Sequence, residues 1–158
     1  MTDRAHGRAA YQVLVLPYRH TAQGIRYALL RRADADYWQG ISGGGEDDET
    51  PLTAARRESA EEAGLVGGHE VVLLDARATI PVVDVTGEFS WGPEVFVIPE
   101  YAFSIHVEES ELRLSEEHTE YRWCTREEAA GLVRWDSNRT ALWELDYRLR
   151  HSSAHAAI

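Results

Sequence analysis

Residues 43–65, GGGEDDETPLTAARRESAEEAGL, constrain the fold more than any other part of this 158-residue chain. Three glycines lead into a polar stretch, Thr50-Pro51 opens a run with no helix breaker, and Gly64 closes it. Threonine caps helix N-termini, proline is tolerated in the first turn, and glycine adopts the left-handed conformation that ends a helix. The pattern predicts a helix over residues 50–63. Leu52, Ala55, Ser59 and Val66 fall near one face of it, expected to pack on a sheet, while Glu58, Glu61 and Glu62 fall together on another. Carboxylates crowded this way repel one another unless a cation lies among them. The preceding residues 38–45 (WQGISGGG) are expected to form a loop with unusual backbone angles, letting the backbone approach a metal or phosphate closely.

Around this segment the chain alternates strand and helix patterns. Residues 11–18 (YQVLVLPY) and 26–32 (RYALLRR) predict a hairpin, with Pro17 marking a sheet edge or a strand end. Residues 71–85 and 94–106 are strand-rich and flank a loop over 87–93 that carries Trp91. Residues 119–124 alternate as a short strand, and Thr125 with Glu128 forms a capping box for a helix to Leu132. Ser137 is the expected cap of a last helix through Leu149, which leaves residues 151–158 as a flexible tail behind a single domain over 1–150.

Composition narrows the function classes. A formal net charge of −11 argues against a protein that grips nucleic acid through its phosphates, but not against a polyphosphate held through metal cations. No window is apolar enough for a membrane span, and residues 1–10 lack the apolar core of a signal peptide. Cys124 is the only cysteine, so no internal disulfide forms; it is read as buried and inert in a cytoplasmic protein.

Residues 43–65 resemble the Nudix box: Gly, five residues, Glu, seven residues, Arg-Glu, an apolar residue, any residue, Glu-Glu, any residue, Gly, an apolar residue. Gly43, Glu49, Arg57, Glu58, Glu61, Glu62, Gly64 and Leu65 fill those places, and only Ser59 departs, where an apolar residue is usual. The resemblance implies an α/β fold, the Nudix α/β/α sandwich with a mixed sheet flanked by helices. It also implies a Mg²⁺-dependent hydrolase, with Mn²⁺ as a substitute. Glu61 and Glu62 correspond to metal ligands and Glu58 to a ligand or the general base, with the choice of base left open. Arg57 is expected to pair with Glu61 or Glu49 and hold the array. The Ser42 carbonyl is a further candidate ligand, and Gly43 and Gly44 are expected to lie against the substrate.

Outside the box, residues 31–40, 117–123 and 135–141 are similar to MutT-like dihydroneopterin triphosphate and dATP pyrophosphohydrolases. This wider likeness implies a small-molecule nucleotide or pterin triphosphate substrate, cleaved to the monophosphate and pyrophosphate. Glu117 is then a distal metal ligand, or else an ordinary surface acid beside Glu116. Trp38 either stacks on a flat ring or packs in the core. Arg32 and Asn138 are expected at the substrate, Asn138 alternatively in a capping role, and His118 is read as structural because Mg²⁺ prefers oxygen. Residues 84–109 depart from that subfamily and are expected to shape the substrate rim. Three other readings stay open: a hydrolase of nucleoside diphosphate derivatives, a non-catalytic Nudix domain that senses a nucleotide, and an interaction module using the acidic surface. Homodimers are common among such enzymes, but no apolar patch in the sequence marks an interface.

Overall fold

The computed structural model describes residues 7–85 and 91–156; part of the expected 87–93 loop lies outside them. The elements are β1 (Arg8–Thr21), β2 (Gly24–Arg32), β3 (Trp38–Gln39), β4 (Ile41–Glu46), α1 (Pro51–Ala63), β5 (Val71–Pro81), β6 (Val97–His106), β7 (His118–Cys124), α2 (Arg126–Leu132) and α3 (Asp136–Ala156). A short 3₁₀ turn over Val82–Asp84 follows β5. The strands form one mixed sheet, in which β1 runs parallel to β6 and the other pairings are antiparallel.

The sheet is built around a wedge. β1 and β2 pair as a hairpin only from Tyr18 and Tyr27 to the turn, and then part. β3 and β4 fill the opening, β4 against β1 as far as Val15 and β3 against Leu30 and Arg31 of β2. Gly40 lies at the joint, where a Cβ would sit 2.9 Å from methyls of Leu14 and Leu16 and 3.0 Å from the Val15 carbonyl. Pro17 is not at a sheet edge. It falls where β1 exchanges β4 for β2, and because the Tyr18 carbonyl accepts a hydrogen bond from Val107 N on the β6 side, Pro17 turns its missing donor toward that gap.

Strand alternation sends side chains to two cores. Val13, Val15, Leu30 and Ile41 pack with Ala54, Ala55 and Ala63 of α1 on one face; Leu14, Leu16, Tyr27 and Leu29 pack with Ala141, Leu142 and Leu145 of α3 on the other. The result is the α/β/α sandwich expected from the sequence. Thr50 Oγ1 accepts from Thr53 N and Gly64 takes φ 70°, so α1 starts and stops at its predicted caps. The buried face of α1 differs from expectation: Leu52 and Val66 are exposed, and Ala54, Ala55, Ser59 and Ala63 face the sheet. Small residues let the helix lie close to β4, and buried Ser59 returns its hydroxyl to the Ala55 carbonyl at 2.7 Å.

Residues 38–45 are corrected from loop to strand. None of their glycines has positive φ. They are required for missing volume: a Cβ on Gly43 would lie 2.2 Å from the Glu58 carboxyl carbon, one on Gly44 2.4 Å from the Arg8 guanidinium, and one on Gly45 2.1 Å from the Tyr11 ring. Thr125 and Glu128 form the reciprocal capping box of α2. α3 begins at Asp136, one residue before the expected cap Ser137, and runs to Ala156, so most of the expected 151–158 tail continues the helix. Among the described residues no helix is long and apolar enough to cross a membrane.

Gly40→Ala should destabilise the protein by about 1–3 kcal/mol through overpacking at the wedge. Denaturant unfolding measures this, and an unchanged midpoint would contradict the packing described.

Candidate active site

Arg57, in the middle of α1, ties the helix to β4 and the turn beyond it. Its Nε and Nη2 grip the Glu49 carboxylate at 2.8 and 2.9 Å, Nη2 donates to the Gly44 carbonyl at 2.8 Å, and Nη1 donates to Glu58 at 2.9 Å and Glu61 at 3.2 Å. Glu49 also accepts from Glu46 N at 2.8 Å, which closes the turn. The Arg57 contacts to Glu49 and Glu61 that its position suggested are therefore both made, and the glycine strand adds a backbone acceptor.

The three box glutamates do not share one environment. Glu62 is 1% exposed and Glu58 is buried, whereas Glu61 is exposed and rests on Arg57. Glu62 Oε2 accepts from Ser42 N at 3.2 Å, while Oε1 has no hydrogen-bond partner. Ligand atoms of Glu62, Glu117 and His118 lie within 4.8 Å of one another. Glu117 thus reaches the box helix from the start of β7, and His118 Nδ1 is 3.8 Å from Glu62 Oε1. Burial first, then Glu58 and Glu117, push the Glu62 carboxyl far above the usual range; burial raises Glu58 to about 7 against the opposing pull of Arg57. Burial and then Arg32 lower the His118 pKa, which favours the neutral imidazole. The partnerless oxygen of buried Glu62 beside the exposed Glu117 carboxylate supplies oxygen donors that fit a hard divalent cation, with the neutral His118 ring packed next to them.

A cavity of about 470 Å³ opens beside this cluster, between the sheet and the start of α3. Ser42, expected as a metal ligand, and Gly43, Arg32 and Asn138, expected at the substrate, line it. Asn138 is buried and its Oδ1 accepts from Gly40 N at 2.9 Å; Arg32 is held by Asp34 through Nε at 2.8 Å and Nη2 at 2.7 Å. Gly44 lies against Arg8, which itself lines the cavity. Trp38 is not among the lining residues: it packs against the α3-side core, and its neighbours Tyr37 and Trp135, edge to face at 5.9 Å, supply the aromatic wall. Arg8, Gln12 and Glu100 also line the cavity and were missed from sequence. For Glu100 a signal existed, a lone carboxylate among Ile98, Ala102 and Ser104 in one alternating row of its strand.

The model of the NUDIX domain family matches residues 10–143. The chain belongs to the Nudix hydrolase family. This Nudix hydrolase is 29% identical over 144 residues to the dihydroneopterin triphosphate diphosphatase of Escherichia coli K12, covering 90% of this chain and 95% of that protein. It is 28% identical over 145 residues to the asymmetrical bis(5'-nucleosyl)-tetraphosphatase of Sus scrofa, covering 91% and 93%. Among solved structures, a NUDIX hydrolase from Listeria monocytogenes superposes with a TM-score of 0.82 at 39% identity, covering 91% of this chain and 97% of that one.

Two outcomes are expected of this site. Because folding raises the pKa of Glu58 and Glu62, the folded metal-free protein holds protons that the unfolded chain releases above about 4.5. That stabilisation is present at acid pH and is lost as pH rises through neutrality, so the metal-free melting temperature should fall between pH 5 and pH 8; a rise would contradict the burial of these acids. In Gly43→Ala the atoms nearest the added Cβ are the Glu58 carboxyl, a side-chain end that has to move aside, so Mn²⁺ affinity should drop by about 10–100-fold, read by calorimetry on the folded variant.

Proposed function

We propose that this Nudix hydrolase is a divalent-metal-dependent pyrophosphohydrolase. It cleaves a (deoxy)nucleoside triphosphate or dihydroneopterin triphosphate to the monophosphate and pyrophosphate. The observation that carries this reading is the buried, unpartnered Glu62 oxygen grouped with Glu117 beside a cavity of small-molecule size. Glu62, Glu117 and the Ser42 carbonyl would hold the cation, joined by whichever of Glu58 and Glu61 does not act as the base. A bound Mg²⁺ or Mn²⁺ neutralises phosphate charge and lowers the pKa of water.

Each residue has a defined task. Glu58, buried but less so than Glu62 and already in contact with Arg57, takes the proton of the attacking water; Glu61 is the other candidate for that role. The water oxygen bonds to phosphorus, the anhydride P–O bond breaks, and pyrophosphate leaves. Arg57 positions both carboxylates through its grip on Glu49 and Gly44. Arg32 and Asn138 define the wall on which the substrate lies. The 28% identity to a tetraphosphatase, close to the 29% to the diphosphatase, supports a second reading in which the substrate is a nucleoside polyphosphate derivative.

Phosphate and pyrophosphate release with Mg²⁺ should be followed on dihydroneopterin triphosphate, the eight common nucleoside triphosphates and a dinucleoside tetraphosphate. Pyrophosphate from a triphosphate supports the first reading, and turnover confined to the dinucleotide supports the second. Glu62→Gln should fold and lose at least about 100-fold in kcat, since removing a metal ligand removes the charge stabilisation it holds. Full activity in that variant would overturn the metal assignment.

A further inference from the structure

The proposed chemistry uses one side of the cavity, and the other side holds an acid that no step requires. Glu100 lies in a row of paired residues across the sheet: Ala78 on β5, Glu100 on β6, Gln12 on β1 and Gly44 on β4. Its side chain is buried and lines the cavity. Among the described residues it forms no ion pair, and its polar neighbour is the Ser137 hydroxyl in the first turn of α3. Gln12 beside it is already committed, accepting from Arg8 Nη2 at 2.7 Å and donating to Ser42 Oγ at 2.9 Å. A carboxylate offers about four acceptor positions, so a single hydroxyl leaves most of them unmet. The carboxylate therefore turns unused acceptor positions toward the cavity it lines.

We propose that Glu100 is the specificity residue of this cavity: it accepts two parallel N–H bonds from the 2-amino-4-oxopyrimidine edge shared by guanine and pterins. Such bidentate, charge-assisted pairs combine strength with directional selection. Adenine presents one donor beside a ring-nitrogen lone pair on the corresponding edge, so the same carboxylate would gain one bond and meet one repulsion. A site built for two donors rejects a ring that lacks one of them far more strongly than an apolar slot would. The position agrees with the rest of the site. Gly44, with Arg8 over it, is two strand spacings from Glu100, roughly 10 Å, the order of the span from a ring edge to its phosphates. The phosphate end then lies along Ser42 and Gly43 at the edge of the cavity, and Tyr37 with Trp135 provides aromatic surface along the wall. This inference rests on the cavity being the substrate pocket of the proposed hydrolase.

The test is metal-free calorimetry with GMP, IMP, AMP and neopterin, on the wild type and on Glu100→Gln. In the wild type GMP should bind about tenfold or more tightly than AMP, and IMP, which lacks the 2-amino donor, about tenfold more weakly than GMP. In Glu100→Gln both ratios should fall to within about threefold. Where Glu100→Gln does not fold, Glu100→Asp, which withdraws the carboxylate by one methylene, serves instead and should lower both ratios, with unchanged ratios again overturning the inference. Equal affinities, absence of binding, or unchanged ratios in a folded variant overturn the inference. Neopterin binding as tight as GMP identifies the pterin as the ring selected, and weaker neopterin binding identifies a guanine nucleotide. Turnover is read separately: selection of GMP by a protein silent on every triphosphate would overturn the proposed hydrolysis and leave the role of Glu100 standing.

Discussion

Everything at the site depends on how closely α1 lies against β4. The Glu58 carboxyl occupies the space that a side chain at Gly43 would take, and Arg57 binds the Gly44 carbonyl and Glu49 at once. Close approach is possible only because the strand carries glycines and the helix face carries Ala54, Ala55, Ser59 and Ala63. Once helix and strand are that near, Glu58 and Glu62 are forced out of water, and their charge has to be balanced from within the protein. Arg57 does this for Glu58. For Glu62 the nearest groups are another carboxylate and an imidazole whose pKa is lowered, and in the proposed reading a cation supplies the balance.

A net charge of −11 belongs to a surface rich in acids, yet Arg8, Arg32 and Arg77 line the cavity. Each is restrained by neighbours: Arg32 by Asp34, Arg77 by the Leu74 and Ala76 carbonyls, and Arg8 by Gln12. The same cavity carries Asp34, Asp84, Asp136 and Glu100, so it presents positioned cationic groups and hydrogen-bond acceptors side by side.

The sequence was most informative where backbone chemistry is local. Thr50, Gly64 and the Thr125–Glu128 box set their helix ends where predicted, because capping needs only neighbours a few residues apart. It misled where volume mattered more than conformation. Residues 43–45 looked like a loop because glycine is a turn residue, but here it is a strand residue chosen for what it lacks. Leu52 was placed on the buried face by period alone, which cannot tell that the helix sits too near the sheet for leucine. Within the site, Arg57, Glu58 and Glu62 were legible from spacing. The grouping of Glu117 with Glu62 came from resemblance, since β7 joins the cluster only through tertiary pairing with β2. Tyr37, Trp135 and Glu100 share a cavity formed by segments distant in sequence, so no local pattern could assemble them.

The central claim is that the buried carboxylates form one cation site. Crystals grown with Mn²⁺, measured for anomalous scattering, test it most directly. A cation site predicts a peak bounded by Glu58, Glu62 and Glu117 and within reach of the Ser42 carbonyl. A Mn²⁺ ion bound elsewhere, with Glu62 still buried and unligated, would contradict it.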